Sequence, residues 1–514
     1  MNAQLSLSQH AARHAKEQPE GIAFIEGERQ LTWAAYHAAS NSLAVHFSEC
    51  GLVPGERIGV YLPDGIDLHI ALLAAEKAGL VALGIGGRAG LREVEHLLGV
   101  AEASAILSWP HYRDSDMKAA FANFKNKLPH LRSFIPFDTE LLSGEAAPRT
   151  PPLATTDLFL LNSTSGTTGM PKCVAHDQAR WHAFHQEAVI AAALGSEDVF
   201  LGAAPPPFGF GLWTTHITPL LLGSTTVKLP AFDAETALML IGKHKVSVLS
   251  AVSTQFIMML NSPALQSSDL NSLRIMFTGG ERVPYPQAAD FEAQSGAAVL
   301  QFYGSNETGA FTNTTLNDPQ EKRLTTAGRI LNCMEVRLFD DSGQDVTGTG
   351  FGRPGGKGPL LSRGYYNDQE ANEKLYTANG YMLMEDLVRI DTEGYLTVAG
   401  RKGDFIIRGG KNISCAAVEE AVGGHPAIAM AAAVAAPDAV FGEKVMLFAK
   451  LRNGQTLDLA TLADYLIRQQ VSKELIPEYL SFCDELPRSS GGKIAKGELR
   501  NRARHIIQEQ SRES

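Results

Sequence analysis

Between Ser163 and Lys172 the chain carries five hydroxyls, two glycines and a lysine. Such a run can hold a polyphosphate: glycines let backbone N–H groups close in, hydroxyls donate and the ammonium adds a point charge. The same composition also describes an ordinary polar surface loop. Its order is not G-x-x-x-x-G-K-[ST], because Met170 and Pro171 separate Gly169 from Lys172, and Cys173 follows the lysine. The apolar run Leu158 to Leu161, closed by Asn162, reads as the buried strand that delivers this loop.

Two further polar turns stand where chemistry could converge. Arg274 to Phe277 reads as a strand ending in Thr278-Gly279-Gly280-Glu281. Ala298 to Tyr303 reads as another, ending in Gly304-Ser305-Asn306-Glu307-Thr308-Gly309. Gly-rich turns at strand carboxyl ends are where open α/β sheets bind ligands. Phe200 to Trp213, FLGAAPPPFGFGLW, reads as a strand running into a stiff aromatic loop, suited to core packing or to the wall of a ligand pocket. Near the end, LPRSSGGKIAKGELR presents Lys493 on a turn before a helical segment, and Lys496 reads as its ordinary neighbour.

Other residue patterns carry less. His10 and His14 lie four apart, but no acid or cysteine joins them in a metal motif, so a helix face explains them, as it does His182 and His185. Gly84-Ile85-Gly86-Gly87-Arg88-Ala89 follows a strand and precedes a helix, yet the strand Ala105 to Trp109 ends without the acid that a dinucleotide fingerprint requires. No G-x-S-x-G occurs, which disfavours a hydrolase of that type.

The elements that must position these residues alternate strand and helix. Strands are expected at 57–62, 80–85, 224–229 and 246–251, with helices at 36–47, 67–78, 177–194 and from Ala234 and Thr254, which implies parallel sheets. After Asn313 the pattern turns to short β pieces, 335–339 and 358–362, with a turn-rich 340–356 between them. Gly400 to Asp404 marks a boundary. Beyond it come a strand at 405–408, a loop at 409–412, a helix at 416–422 and strands at 427–435 and 445–451, an α+β module.

With 514 residues the chain is too long for one core. A net charge of −11 argues against a nucleic-acid partner. The five cysteines are scattered, odd in number and without a C-x-x-C pair, as free thiols of a cytoplasmic protein would be. No stretch of 18 or more apolar residues marks a membrane span, and the N-terminus lacks the apolar core of a signal peptide.

Together, the loop at 163–172, YGSNETG at 303–309, YMLMEDLVRID at 381–391 and the Lys493 turn resemble the acyl-adenylate-forming superfamily, in its AMP-forming acyl-CoA synthetase branch and near the alicyclic and aryl-CoA ligases. The resemblance implies an α/β fold. A large N-terminal domain of layered, mostly parallel sheets with a β-rich subdomain would span 1–400, and a small mobile α+β lid 401–514. It implies ATP, Mg²⁺ and coenzyme A acting on a small carboxylic acid, with a carrier-protein thiol as the alternative acceptor and a homodimer as an admissible assembly.

By the same resemblance Ser163, Thr164, Ser165, Gly166, Thr167, Thr168, Gly169 and Lys172 hold phosphates. Gly279, Gly280, Glu281, Phe302, Tyr303 and Gly304 receive the adenine side of ATP. Glu307 holds Mg²⁺, and Asn306, which stands where threonine is usual, still offers a donor to the α-phosphate. Asp386 accepts the ribose hydroxyls and Arg401 contacts the ribose or phosphate. Met384-Glu385 depart from the family's threonine-glycine, leaving open whether Glu385 points away. Phe208, Phe210, Trp213, Gly304 and Phe311 line the acyl pocket, with Phe208 near its gate. Gly403 takes the hinge position, Gly409, Gly410 and Lys411 line the coenzyme A channel, and Lys493 is the catalytic lysine that also contacts ATP. The absence of an aspartate between Phe208 and Trp213 argues against an α-amino acid substrate.

Overall fold

The computed structural model describes residues 4–144, 146–151, 153–163, 170–204, 206–280, 283–401, 404–408, 411–438, 440–488 and 494–513. Two large sheets dominate it. The first has nine strands, in spatial order Arg29–Thr32, Ile22–Glu26, Thr225–Val227, Val199–Gly202, Val248–Ser250, Ile275–Gly279, Ala298–Ser305, Gly309–Asn313 and Arg329–Ile330. Its interior is parallel from Ile22–Glu26 to Ala298–Ser305, and both flanks are antiparallel. The second has six strands: Cys173–Asp177, Leu158–Ser163, Val81–Gly84, Arg57–Tyr61, Ala105–Ser108 and Ser133–Pro136. Only Cys173–Asp177 runs antiparallel there.

A helix hydrophobic all round belongs inside a protein rather than on its surface. Ile66–Lys77, IDLHIALLAAEK, meets that description over Ile70 to Ala75, and every residue of it except Asp67 is buried. It shares one core cluster with Ile58 and Val60 of the six-stranded sheet and with Phe200, Val248 and Phe277 of the nine-stranded one. The two sheets therefore close on common apolar contents, and their strand ends meet.

The β-rich part is a five-stranded sheet of Glu335–Phe339, Phe351–Lys357, Asp386–Ile390 and Leu396–Arg401, with Met382–Leu383 beside Phe351–Lys357. This corrects the expected strand at 358–362: the strand lies seven residues earlier, in a stretch whose glycines and proline suggest turns. Gly355 and Gly356 are tolerated because Phe339 and Phe311 fill the space their side chains would take. Residues beyond 404 form a second five-stranded sheet, Lys411–Ser414, Phe405–Arg408, Gly442–Leu451 and Ile428–Asp438, with Tyr479–Phe482 parallel to Gly442–Leu451. The strand Lys411–Ser414 replaces part of the expected loop at 409–412. This module has core clusters of its own, around Val418, Leu447 and Leu462 and around Val434, Phe448 and Leu499. Among the described residues, no helix is long and apolar enough to cross a membrane.

Candidate active site

The carboxyl end of the Leu158–Ser163 strand, the turn after Ala298–Ser305 and the segment 362–366 come together. Cys173 pairs with Ser163 across the antiparallel ladder, so Lys172 returns beside the point where the phosphate-loop candidate departs. Segment 363–366 adds itself to Cys173–Asp177: Ala175 N donates to Gly364 O and Tyr366 N to Cys173 O, both about 3 Å. From there the Tyr365 hydroxyl donates to Glu307 Oε1 at 2.9 Å. Its ring lies under Lys172 Nζ, 4.6 Å from the centroid. Burial, with the Glu307 carboxylate as second cause, pushes the Tyr365 phenol up, so it remains a neutral donor. Ser362 N donates to Glu307 O at 2.7 Å, which fixes the backbone of the same residue.

Asp386 is buried and accepts from the Tyr303 hydroxyl at 3.0 Å. It opens the strand Asp386–Ile390 and is the register partner of Arg401, so the two expected ribose-side residues face each other across one ladder. Glu385 is exposed while Met384 and Asp386 are buried. It lies in the bend between Met382–Leu383 and Asp386–Ile390, and its charge adds to the upward push on the Tyr365 phenol.

Gly279 lies where a Cβ would stand 2.6 Å from the Phe302 carbonyl, the next strand's backbone. Gly304 sits at a bulge against Gly309, whose carbonyl occupies the place of any side chain at 304. Gly280 follows with φ +82°. Ser163 Oγ and Thr278 Oγ1 are buried and have no hydrogen-bond partner among the described residues. Two buried hydroxyls with no partner among the described residues, at strand ends of the two sheets, fit a nucleotide that would satisfy them. Tyr365 takes only one Glu307 oxygen, which leaves the other suited to a hard cation.

On the expected acyl side the loop is helical. Gly209–Leu212 is one turn of α-helix and Trp213–Ile217 a turn of π-helix. Phe208 and Phe210 are half-buried. Trp213 is buried, with ring centroids of Phe184, Phe277 and Phe302 at 4.7, 5.0 and 5.1 Å. Phe311 is fully buried beside Gly356. Phe208 and Phe210 are thus the half-buried members of the expected acyl pocket, Trp213 packs beside Phe210 with ring centroids 6.0 Å apart, and Phe311 is enclosed. The glycines of 84–87 acquire a purpose here. Gly84 touches Pro207, and a methyl on Gly86 would stand 3.0 Å from the Phe208 ring.

Sequence reasoning missed a polar chain behind Asn306. Asn162 and Asn306 exchange hydrogen bonds of 3.1 and 2.6 Å, His176 Nε2 lies 2.7 Å from Asn162 Oδ1, and Arg180 Nη1 lies 2.6 Å from His176 Nδ1. Burial lowers the Arg180 pKa to about 10. Burial, then Arg180, holds His176 well below the ordinary imidazole range. A histidine and an arginine four apart, just past the phosphate-loop candidate, were the available signal. Lys496 is likewise not an ordinary neighbour: its Nζ pairs with Glu419 at 2.8 Å, while Arg500 of the same helix pairs with Asp404. Thr164 to Gly169, Glu281, Gly403, Gly409, Gly410 and Lys493 lie outside the described residues, and Arg401 and Lys411 are described by backbone alone.

Two family models match in this order: AMP-binding enzyme over residues 11–367 and AMP-binding enzyme C-terminal domain over 417–493. The chain belongs to the AMP-binding enzyme family. It is similar to the medium-chain fatty-acid–CoA ligase of Escherichia coli (strain K12), 27% identical over 96% of this chain and 90% of that one. The indoleacetate–CoA ligase of Aromatoleum aromaticum (strain DSM 19018 / LMG 30748 / EbN1) is 29% identical over 99% of this chain and 100% of its own. The crystal structure of an anthranilate CoA ligase in complex with anthranoyl-AMP superimposes with a TM-score of 0.89 over 99% of each chain at 21% identity, a likeness of fold.

Proposed function

We propose that this AMP-binding enzyme is a carboxylic acid–CoA ligase that activates its acid with ATP as an acyl-adenylate and then passes the acyl group to coenzyme A. The observation that carries this reading is the pairing of two tyrosines with two acids, Tyr365 with Glu307 and Tyr303 with Asp386, on either side of one strand end and beside Lys172.

Carboxylate and ATP are both anions, so the task is positioning and charge neutralisation. A carboxylate oxygen attacks the α-phosphorus in line, the bond to the bridging oxygen breaks and pyrophosphate leaves. Ser163 to Gly169 with Lys172 hold the departing phosphates. Gly279 to Glu281, Phe302 and Gly304 enclose the adenine against Tyr303, and Asp386 with Arg401 anchors the ribose. Glu307 would hold Mg²⁺, which supplies neutralising charge on the phosphates. Lys493 bridges the carboxylate and α-phosphate oxygens. Thiol attack on the acyl carbonyl then releases AMP, with Gly409 to Lys411 lining the thiol's approach after the 401–514 domain turns about Gly403.

Phe208, Phe210, Trp213, Gly304 and Phe311 suit an apolar acid of modest size, alicyclic or aromatic. Relatives named for a fatty acid and for indoleacetate support that class. Relatives named as CoA ligases support coenzyme A as acceptor, with a carrier-protein thiol as the second acceptor to test. Five unpaired cysteines support a cytoplasmic setting.

Lys493→Ala is the discriminating variant. It should abolish acid-dependent pyrophosphate release while sparing thioester formation from supplied acyl-AMP. Equal loss of both steps would reject the division of roles.

A further inference from the structure

The polar groups behind the Asn306 turn form a chain whose hydrogen-bond directions can be solved one residue at a time. Arg180 is buried, and a guanidinium can only donate. Its Nη1, 2.6 Å from His176 Nδ1, makes that ring nitrogen an acceptor. The imidazole is therefore the neutral Nε2–H tautomer, and Nε2 donates to Asn162 Oδ1 at 2.7 Å. From its other end, Asn162 Nδ2 lies 3.0 Å from the Pro207 carbonyl, which can only accept. The two ends of the Asn162 amide are assigned independently, and the assignments agree.

Asn306 then has one permitted orientation. Its Nδ2 donates to Asn162 Oδ1 and its Oδ1 accepts from Asn162 Nδ2. Turned over, the two amides would set N–H against N–H and oxygen against oxygen. Asn162 donates twice and accepts twice, so its capacity is filled. Asn306 keeps one Nδ2 proton beyond these bonds, on a half-buried side chain next to Glu307. Its backbone is also held, because Arg180 Nη1 donates to Asn306 O at 3.0 Å.

We propose that Arg180, His176 and Asn162 are positioning residues that lock the Asn306 carboxamide so that its remaining Nδ2–H is a fixed donor to an α-phosphate oxygen during adenylation. This rests on the adenylation reading above. An amide free to turn would present Oδ1 to an anionic oxygen half of the time, which is repulsive. A donor locked beforehand needs no reorganisation when charge builds on the phosphate. The chain also ties three parts of the site together. Asn162 precedes the phosphate-loop candidate, Pro207 belongs to the acyl loop, and Asn306 to the turn that carries Glu307.

The test compares His176→Gln with His176→Leu in the full-length enzyme. Glutamine offers Oε1 to Arg180 and an Nε2–H to Asn162, and leucine offers neither. In acid-dependent ATP–pyrophosphate exchange, leucine should lower kcat about tenfold or more with the KM for ATP within about twofold, and glutamine should restore most of the rate. Equal losses in both variants, or a loss confined to KM, would overturn the proposal. Leucine also strands Arg180, so a measurement on the wild type accompanies it. The ¹⁵N spectrum of histidine-labelled protein, with His176 assigned by its disappearance in His176→Gln, should show a protonated Nε2 and bare Nδ1. A protonated Nδ1 would overturn the proposal whatever the variants do. If the wild type exchanges pyrophosphate with no acid, the adenylation reading fails and the proposed role with it, while the tautomer still reports whether the chain was assigned correctly.

Discussion

Two tyrosines hold Glu307 and Asp386 from far along the chain. Tyr365 reaches Glu307 from 58 positions along the chain, and Tyr303 reaches Asp386 from 83. Contacts at such separation leave no local pattern. A group that orients a metal-binding acid typically accounts for tenfold to a hundredfold in metal affinity. Tyr365→Phe should therefore raise the Mg²⁺ concentration for half-maximal pyrophosphate exchange by about tenfold. An unchanged Mg²⁺ titration would remove Tyr365 from the site. Glu385 is a different case: it is exposed in the bend before Asp386, yet its charge still reaches the Tyr365 phenol.

Among the elements, the parallel strands were legible from apolar runs closed by glycines, and their packing was not. Gly84 and Gly86 resembled part of a nucleotide motif, but the structure uses them to seat Pro207 and Phe208 of the facing sheet. Gly84→Ala should displace that loop, destabilise the fold by about 1–3 kcal/mol and raise the KM for the acid more than that for ATP. A raised KM for ATP alone would place Gly84 elsewhere in function. The Phe351–Lys357 strand escaped notice because two of its three glycines, Gly355 and Gly356, are packing requirements imposed by Phe339 and Phe311.

The first helix, Leu7–Glu17, meets Gln178–Ala192 through histidines. His10 lies 5.7 Å from His182 between ring centroids. Burial lowers His10 to about 3 and His185 to about 4 from 6.5, with Arg13 adding to the effect on His10 and His182 to that on both. Below about pH 6.5 the unfolded chain takes up protons that the folded one refuses, so stability is full above that pH and falls toward pH 4. Thermal melts between about pH 8 and pH 4.5 should show a shallower decline for His10→Gln/His185→Gln than for the wild type. Parallel curves would mean that these histidines do not set the acid limit.

At the scale of the molecule, two sheets share one core while the module beyond residue 404 has its own, which divides the chain into a larger and a smaller C-terminal domain. Polar links between them include Gln287 Nε2 donating to Gly423 O at 3.0 Å, Ser414 Oγ donating to Ala399 O at 3.1 Å, and contacts of Arg452 with Asn261 and of Arg488 with Met258. The order of motifs made a large domain followed by a smaller C-terminal one readable. The inward chain from Arg180 to Asn306 was not readable, because hydrogen-bond direction depends on which atoms face each other. The central claim, activation through an adenylate followed by thioester formation, is tested most directly by product analysis. The enzyme would be incubated with ATP, Mg²⁺, coenzyme A and a panel of aliphatic, alicyclic and aromatic acids. AMP, pyrophosphate and acyl-CoA formed in equal amounts with at least one acid is the predicted result. ADP and phosphate in place of AMP and pyrophosphate, or AMP formed from every acid-free control at the same rate, would contradict it.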